Sequence, residues 1–359
     1  EVQRTTPRSP HRPGLYSGRV GAVDRWREAL IYEYLGMIAI SLAEYQEAKD
    51  LAQRCLAIFR EFDYRSGIAF SLNLYGIAAR NLGDYEEARQ YCQQSLAIAR
   101  ENGDRWEEAL ALQYLGMIAI SEGEYRTAKV LAEKSVAIYR EFDYRSGVSF
   151  SMNLVGIAAR NLGELEEAKQ VHQEVLQTCQ ELDYPLGVAL ASYYLGRIAY
   201  LQGDHLAAEH WLTDSLTLAK KLAYQRGITQ SLNVLGNVAL AQGQYQQAEQ
   251  YLYEALKLTQ EMHATPMTLD ILTGLAQLLA QEGQAERAIE LLVFPLNHTA
   301  SKQETKEKAH RLLAKLTPAL PTQIQELAQA KGAADTLEQV VAEILQKKTA
   351  PELAVAYVN

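Results

Sequence analysis

The 359-residue sequence predicts an all-α fold: a solenoid of seven antiparallel helix hairpins closed by a C-terminal helical cap. Three series of residues in a common 40-residue phase carry this expectation. Gly36, Gly76, Gly116, Gly156, Gly196 and Gly236 form the first, and Gly83, Gly123, Gly163, Gly203, Gly243 and Gly283 the second. Ala48, Ala88, Ala128, Ala168, Ala208, Ala248 and Ala288 form the third. Chance does not hold three series in phase along a chain, and a fixed period of a few tens of residues marks a repeat architecture.

Residues 1–23 read as a disordered basic linker, because Arg4, Arg8, Arg12 and Arg19 accompany Pro7, Pro10 and Pro13 without the apolar core of a signal peptide. The chain does not begin with Met, which points to a piece of a longer polypeptide. Repeats are expected over 24–303. In the second, Ile68, Leu72, Tyr75, Gly76 and Ala79 recur at helical spacing until Asn81-Leu82-Gly83 breaks the pattern. Glycine suits the left-handed position that ends a helix. Asp84-Tyr85-Glu86-Glu87 then opens the second helix with the spacing of a capping box, and Asn102-Gly103-Asp104 ends it and caps the next. Gly76 and Ala88 are small, so the two helices of a hairpin can approach closely. One such hairpin cannot bury its own apolar face and must stack on its neighbours.

A period of 80 is superimposed: Asp24–Gly103 and Asp104–Asp183 agree at 49 of 80 positions, far more than core patterning requires. Tandem duplication of a two-repeat block explains it. Beyond the repeats, 304–346 is expected to form a helical cap, with helices at Lys306–Leu316, Thr322–Ala330 and Asp335–Gln346, followed by a flexible tail at 347–359. Terminal repeats of a solenoid are atypical because they must cover the last apolar face.

Composition narrows the function. A net charge of −9 argues against a general nucleic-acid or anionic-membrane binder. Three scattered cysteines, Cys55, Cys92 and Cys179, suit a reducing cytoplasm and offer neither a disulfide framework nor a thiolate metal site. No apolar run is long enough to span a membrane. The sequence contains no phosphate-binding loop, H-E-x-x-H, G-x-S-x-G or calcium-loop pattern. His205 and His210 are five residues apart, which does not set both on one helical face. Glu86-Glu87 and Glu166-Glu167 open helices, where the helix dipole favours them. Neither a catalytic residue, a metal nor a cofactor is expected.

The pattern resembles the tetratricopeptide (TPR) repeat. Leu35-Gly36 with Ala48, Leu115-Gly116 with Ala128, Leu195-Gly196 with Ala208 and Leu235-Gly236 with Ala248 match its Leu-Gly and later Ala; the 40-residue period exceeds the usual 34. The resemblance implies a right-handed superhelix whose first helices line a concave groove that binds a protein or peptide. On those helices it selects Asn73, Ile77, Arg80, Asn153, Ile157 and Arg160, with Met37, Met117, Tyr193, Arg197, Asn233 and Asn237 at neighbouring positions. Asn amides can bond a peptide backbone, and Arg can pair a carboxylate bidentately. The alternative is that Asn73 and Asn153 bond neighbouring helices and the arginines meet glutamates of this chain.

The run Ser301–Leu345 resembles the end of bacterial STAND proteins (signal transduction ATPases with numerous domains), in which a nucleotide-binding core precedes a TPR sensor. That resemblance implies a ligand-sensing domain whose second partner is an upstream nucleotide-binding region of the same polypeptide. The alternative is a free-standing TPR scaffold that joins partner proteins. Neither involves nucleic acid or a membrane.

Overall fold

The computed structural model describes residues 20–356, with side chains placed for 22–318 and 320–346. Fourteen helices pair into seven hairpins. The first four are α1 (Val20–Leu42) with α2 (Tyr45–Glu61), α3 (Arg65–Leu82) with α4 (Tyr85–Glu101), α5 (Arg105–Glu122) with α6 (Tyr125–Glu141), and α7 (Arg145–Asn161) with α8 (Leu165–Glu181). The others are α9 (Pro185–Leu201) with α10 (His205–Lys221), α11 (Gln225–Ala241) with α12 (Tyr245–Glu261), and α13 (Thr265–Gln281) with α14 (Ala285–Asn297). The end of the chain forms α15 (Gln303–Leu316), a 3-10 turn at Thr317–Ala319, α16 (Thr322–Ala334) and α17 (Leu337–Ala356). From α1 to α15 each helix packs on the next, and first helices touch first helices of adjacent hairpins, which is the expected all-α solenoid.

The linker expected at 1–23 lies outside the described residues up to position 19, and α1 already begins at Val20. At the other end α17 continues to Ala356, through most of the segment expected to be a flexible tail; residues 357–359 lie outside the described residues.

The small-residue series sit where hairpin helices meet. All seven alanines of the Ala48 series are fully buried. A Cβ added to Gly76 would lie 2.3 Å from Cys92 Sγ, and one on Gly156 2.5 Å from His172 Nε2, so only glycine admits this approach. Tyrosine at the start of first helices has a similar cause. The rings of Tyr64 and Tyr144 lie where Gly67 and Gly147 lack a Cβ, with the nearest ring carbon 2.3 Å from the missing atom in both. Trp26 and Trp106 add edge contacts at 5.5 Å to Phe59 and 5.6 Å to Tyr139, repeating the cluster after 80 residues.

The helix ends partly follow the expectation. Asp104 Oδ1 accepts from Glu107 N at 3.1 Å and caps α5. The capping box read at Asp84–Glu87 does not form, because Asp84 makes no side-chain bond to its own helix. Its carboxylate instead meets Lys49 Nζ at 3.3 Å, and Glu87 meets the same ammonium at 2.6 Å. A full charge on the preceding hairpin is a stronger partner than a backbone N–H. On the outer surface Arg65–Glu101, Arg105–Glu141 and Arg145–Glu181 form a ladder at 2.7, 2.7 and 2.8 Å, one rung per repeat. Exposed pairs of this kind contribute ~0–1 kcal/mol each.

The solenoid winds until its two ends meet. Helix α13 packs against α3, and Ala43 and Tyr45 share an apolar cluster with Met262, Ala264 and Met267. Tyr85 Oη donates to the Ala300 carbonyl at 2.8 Å, across 215 residues of sequence. Gly83, at φ +101°, lies so close to this seam that a Cβ there would stand 2.2 Å from Ala300 Cβ. The cap covers the last apolar face: Ala309, Val340 and Val341 join the core built by α12, α13 and α14.

Gly163 has a comparable φ of +86° but nothing within 4 Å of the position a Cβ would take, so it separates backbone strain from seam packing. Gly163→Ala is expected to cost about 1 kcal/mol from the left-handed backbone alone. Gly83→Ala is expected to cost more in chemical denaturation, and only this variant to expand in small-angle scattering. Equal losses without expansion would mean that the seam does not hold the turn closed.

Candidate functional site

The concave face of this closed turn is not an open channel. The chain leaving α14 crosses it as a strap, from His298 through the first turn of α15, and brings Lys302 and Glu304 against α7, α9, α11 and α13. What remains is a cavity of about 90 Å³. Five cationic side chains line it, Arg80, Arg160, Arg197, Arg226 and Lys302, against the two carboxylates Asp270 and Glu304. In a chain of net charge −9, this local excess of positive charge is not a consequence of composition. A larger cleft, about 740 Å³, follows the seam between Gly83–Glu87 and Thr299–Gln303.

Glu304 is the centre of the ion pairing. Arg160 donates Nη1 and Nη2 to its two carboxylate oxygens at 3.3 and 3.2 Å, Arg197 Nη2 donates to Oε1, and Lys308 Nζ lies 3.6 Å away. The Arg160 side chain is only 2% exposed, and the Glu304 side chain 24%. Burial pushes the Glu304 carboxyl upward, but the Arg160, Arg197 and Lys308 charges outweigh it and hold the group well below the usual carboxylate range. Asp270 is similar: burial opposes its ionisation, and Lys308 and Lys302 more than compensate. It accepts from Asn233 Nδ2 at 2.8 Å and Thr305 Oγ1 at 3.3 Å, with Lys308 Nζ at 3.5 Å.

Of the residues expected to line the groove, Arg80, Ile157, Arg160, Tyr193, Arg197 and Asn233 do converge on this cavity. The others do not reach it. Asn73 is fully buried and donates to Glu107 at 3.4 Å, while Asn153 Oδ1 lies 2.9 Å from His172 Nδ1. Burial, with Arg160 and Arg197 nearby, lowers His172 to about 3, so at neutral pH the ring is uncharged and Nδ1–H donates to Asn153. These asparagines bond neighbouring helices and offer a peptide backbone nothing. Asn237 Nδ2 turns back to Asn233 O at 2.7 Å. Ile77 and Met117 pack with Ile157 in one apolar cluster, and Met37 is half-buried against the cluster around Tyr75. Arg160 and Arg197 meet a glutamate of this chain, whereas Arg80 meets none and donates Nε to Met117 O at 3.2 Å.

Sequence reasoning missed Arg226, Asp270, Lys302 and Glu304. Asp270 carried a readable signal. The equivalent positions of the first five repeats are Leu30, Phe70, Leu110, Phe150 and Leu190 and of the sixth Gln230, so the apolar column turns polar and then acidic at its end. Lys302 and Glu304 follow the last hairpin and have no column to break. Among the described residues no group of three or more His, Cys, Asp or Glu is placed to hold a metal ion, and no helix is long and apolar enough to cross a membrane. The three cysteines are free and buried.

Glu304→Gln is expected to cost about 3 kcal/mol at pH 7, because it leaves buried arginines without their carboxylate. The sign with pH follows from the depressed carboxyl: its stabilisation is complete above about pH 4.5, the ordinary value, and is lost as pH falls toward the folded-state value. Urea titrations of both proteins should therefore converge below about pH 4.5. A gap that stays constant into acid would exclude the ion pair as its source.

The sequence matches the tetratricopeptide repeat family over residues 67–141, 148–221 and 227–293. No curated protein matches it in sequence. Among solved structures, the chain is similar to NprR in complex with its cognate peptide NprX, with a TM-score of 0.61 and 14% identity, over 84% of this chain and 89% of that one. It is similar to the Rap conjugation gene regulator of the plasmid pLS20 in complex with the Phr* peptide, with a TM-score of 0.61 and 15% identity, over 85% and 79% of the two chains. The apo form of the quorum sensor NprR from B. thuringiensis gives a TM-score of 0.56 and 14% identity over 92% and 89%. These structural likenesses concern the fold. With the family match spanning more than half of its length, this chain belongs to the tetratricopeptide repeat family.

Proposed function

We infer that this chain is a non-catalytic interaction module that takes an acidic peptide, or an acidic segment of a protein, into its concave face. One observation carries the reading: the strap already occupies that face as an internal ligand, its Glu304 carboxylate gripped by Arg160 and Arg197. A partner carboxylate would take the place of Glu304 between the same arginines, and the strap would have to leave. The similar folds of NprR and the Rap regulator, described with bound peptides, support a peptide as the occupant.

The occupant would act through differential affinity. A ligand that binds only the strap-released form shifts the population toward that form. Release of the strap also frees the seam at Ala300, so binding at the interior would alter the outer surface along which hairpins present ion pairs. This makes the chain an adaptor whose partners are joined or released by a peptide. The run Ser301–Leu345, which resembles the STAND tail, supplies the strap and the cap helices, and those duties account for it without an ATPase partner. A cytoplasmic setting agrees with three unpaired thiols.

The reading is tested with a fluorescent peptide library of fixed length in which one position varies among Glu, Asp, Gln and Lys, measured by polarisation against the full chain. Acidic members are expected to bind. Glu304→Gln should tighten them about tenfold, since the competing carboxylate is removed. Arg160→Gln, checked for folding by circular dichroism, should weaken them by a similar factor. Binding that ignores both substitutions would place the partner elsewhere.

A further inference from the structure

Among the described residues, two of the cavity's arginines, Arg80 and Arg226, have no carboxylate within 4 Å. Arg80 Nη1 donates to Asn81 Oδ1 at 3.2 Å, and Arg226 Nη1 donates to the same oxygen, so two guanidinium groups converge on one neutral acceptor. Arg80 is 8% exposed, and Arg226 and Lys302 are half-buried. Lys302 lines the same cavity, and among the described residues its ammonium has no hydrogen bond or carboxylate within 4 Å. Burial pushes Lys302 down to about 8, with Arg226 and Arg80 adding to the shift against the pull of Asp270, and burial beside Arg226 lowers Arg80 to about 10. The two carboxylates of the cavity are already engaged, Glu304 by Arg160 and Arg197, and Asp270 by Lys308, Asn233 and Thr305.

Burying like charges together without a counter-charge is costly, and the cost is relieved only by pairing or by loss of a proton. Arginine does not lose its proton in the physiological range. The three cations also come from three remote parts of the chain: α3, the first turn of α11, and the strap. They meet only because the solenoid has closed.

We propose that Arg80, Arg226 and Lys302 form a binding site for a phosphate group, which enters the cavity and fastens the closed turn. The charge count favours phosphate over a carboxylate, since three cations match a dianion better than a monoanion. Two guanidinium forks and an ammonium supply more donors than two carboxylate oxygens need, and phosphate offers further acceptor oxygens. A cavity of about 90 Å³ admits the group itself with little to spare. The site uses none of the residues of the Arg160–Arg197 grip on Glu304, which lines the same cavity, so it does not rest on the peptide reading. By linkage, a ligand that binds only the closed form stabilises that form and opposes release of the strap.

The test uses the full chain exchanged into phosphate-free chloride buffer. Inorganic phosphate and, in a parallel arm, glycerol 3-phosphate are titrated at constant ionic strength. Binding is read by calorimetry and by 31P line width, and closure by thermal melting. A saturable isotherm is expected, with Tm rising by about 5 °C at one hundred times Kd. A response to inorganic phosphate alone, or tighter binding of it, identifies the free ion as the ligand; tighter binding of glycerol 3-phosphate identifies a phosphate carried on a larger molecule. Lys302→Met keeps the apolar stem and removes one unpaired charge, so it should fold at least as well as the parent in chloride and bind phosphate at least tenfold more weakly. Arg226→Gln should do the same to binding. No saturable response in the parent, or an unchanged affinity in Lys302→Met, overturns the proposal. Either result is independent of whether acidic peptides bind.

Discussion

Two helices lie close along each hairpin because a small residue of the first leaves room for a side chain of the second, and this contact governs the rest of the molecule. Gly76 faces Cys92, Gly156 faces His172 and Gly236 faces Leu252, each so closely that a Cβ would clash. With the opposing alanines fully buried, every hairpin has nearly the same geometry. Identical units stacked by identical contacts must generate a regular superhelix. Its pitch is tight enough that the seventh hairpin returns to the second. The seam there is made from ordinary parts: an apolar cluster, the Tyr85 hydroxyl on the Ala300 carbonyl, and a glycine too close to tolerate a side chain.

Closure changes the chemistry of the concave face. In an open solenoid, arginines on the first helices would point into water and find solvent partners. Once the turn is closed and the strap laid across it, Arg80 and Arg160 are buried and Arg197 and Arg226 half-buried, where an unpaired charge costs more than in water. Glu304 answers two of them. The strap therefore has two roles, as a structural tie and as an occupant of the space a partner would need. On the proposed reading, a partner would have to exchange its own carboxylate for that of Glu304.

Much of this was legible beforehand. Repetition exposed the hairpins, the left-handed glycines and the stripe holding Arg80, Ile157, Arg160, Tyr193, Arg197 and Asn233. For Asn73 and Asn153 the sequence leaves two directions open, toward the groove or toward neighbouring helices. On a helical wheel Asn73 and Asn153 sit beside the arginine stripe, but the next hairpin supplies Glu107 to Asn73 and the second helix of its own hairpin supplies His172 to Asn153, and a short side chain bonds the nearest group. The capping box at Asp84 failed for a related reason, because Lys49 on the adjacent hairpin was invisible to local pattern. Asp270 stands out in the sequence only as the acidic end of a column that is apolar in the first five repeats.

Contacts between one repeat and the next join residues about one period apart, and copying makes them conspicuous: Arg65 to Glu101 and Arg105 to Glu141 are the same bond twice. The sequence alone therefore determined the hairpin, its boundaries, its close-packed crossing and the order of stacking. Only the tertiary structure decided that the superhelix closes, that the strap fills it, and which cations are left without a carboxylate. Those contacts occur once, between residues 145 positions apart at Asn81 and Arg226 and 215 apart at Tyr85 and Ala300. They depend on the small twist of each hairpin summed over the whole solenoid. No single repeat contains that sum, so no local pattern records it.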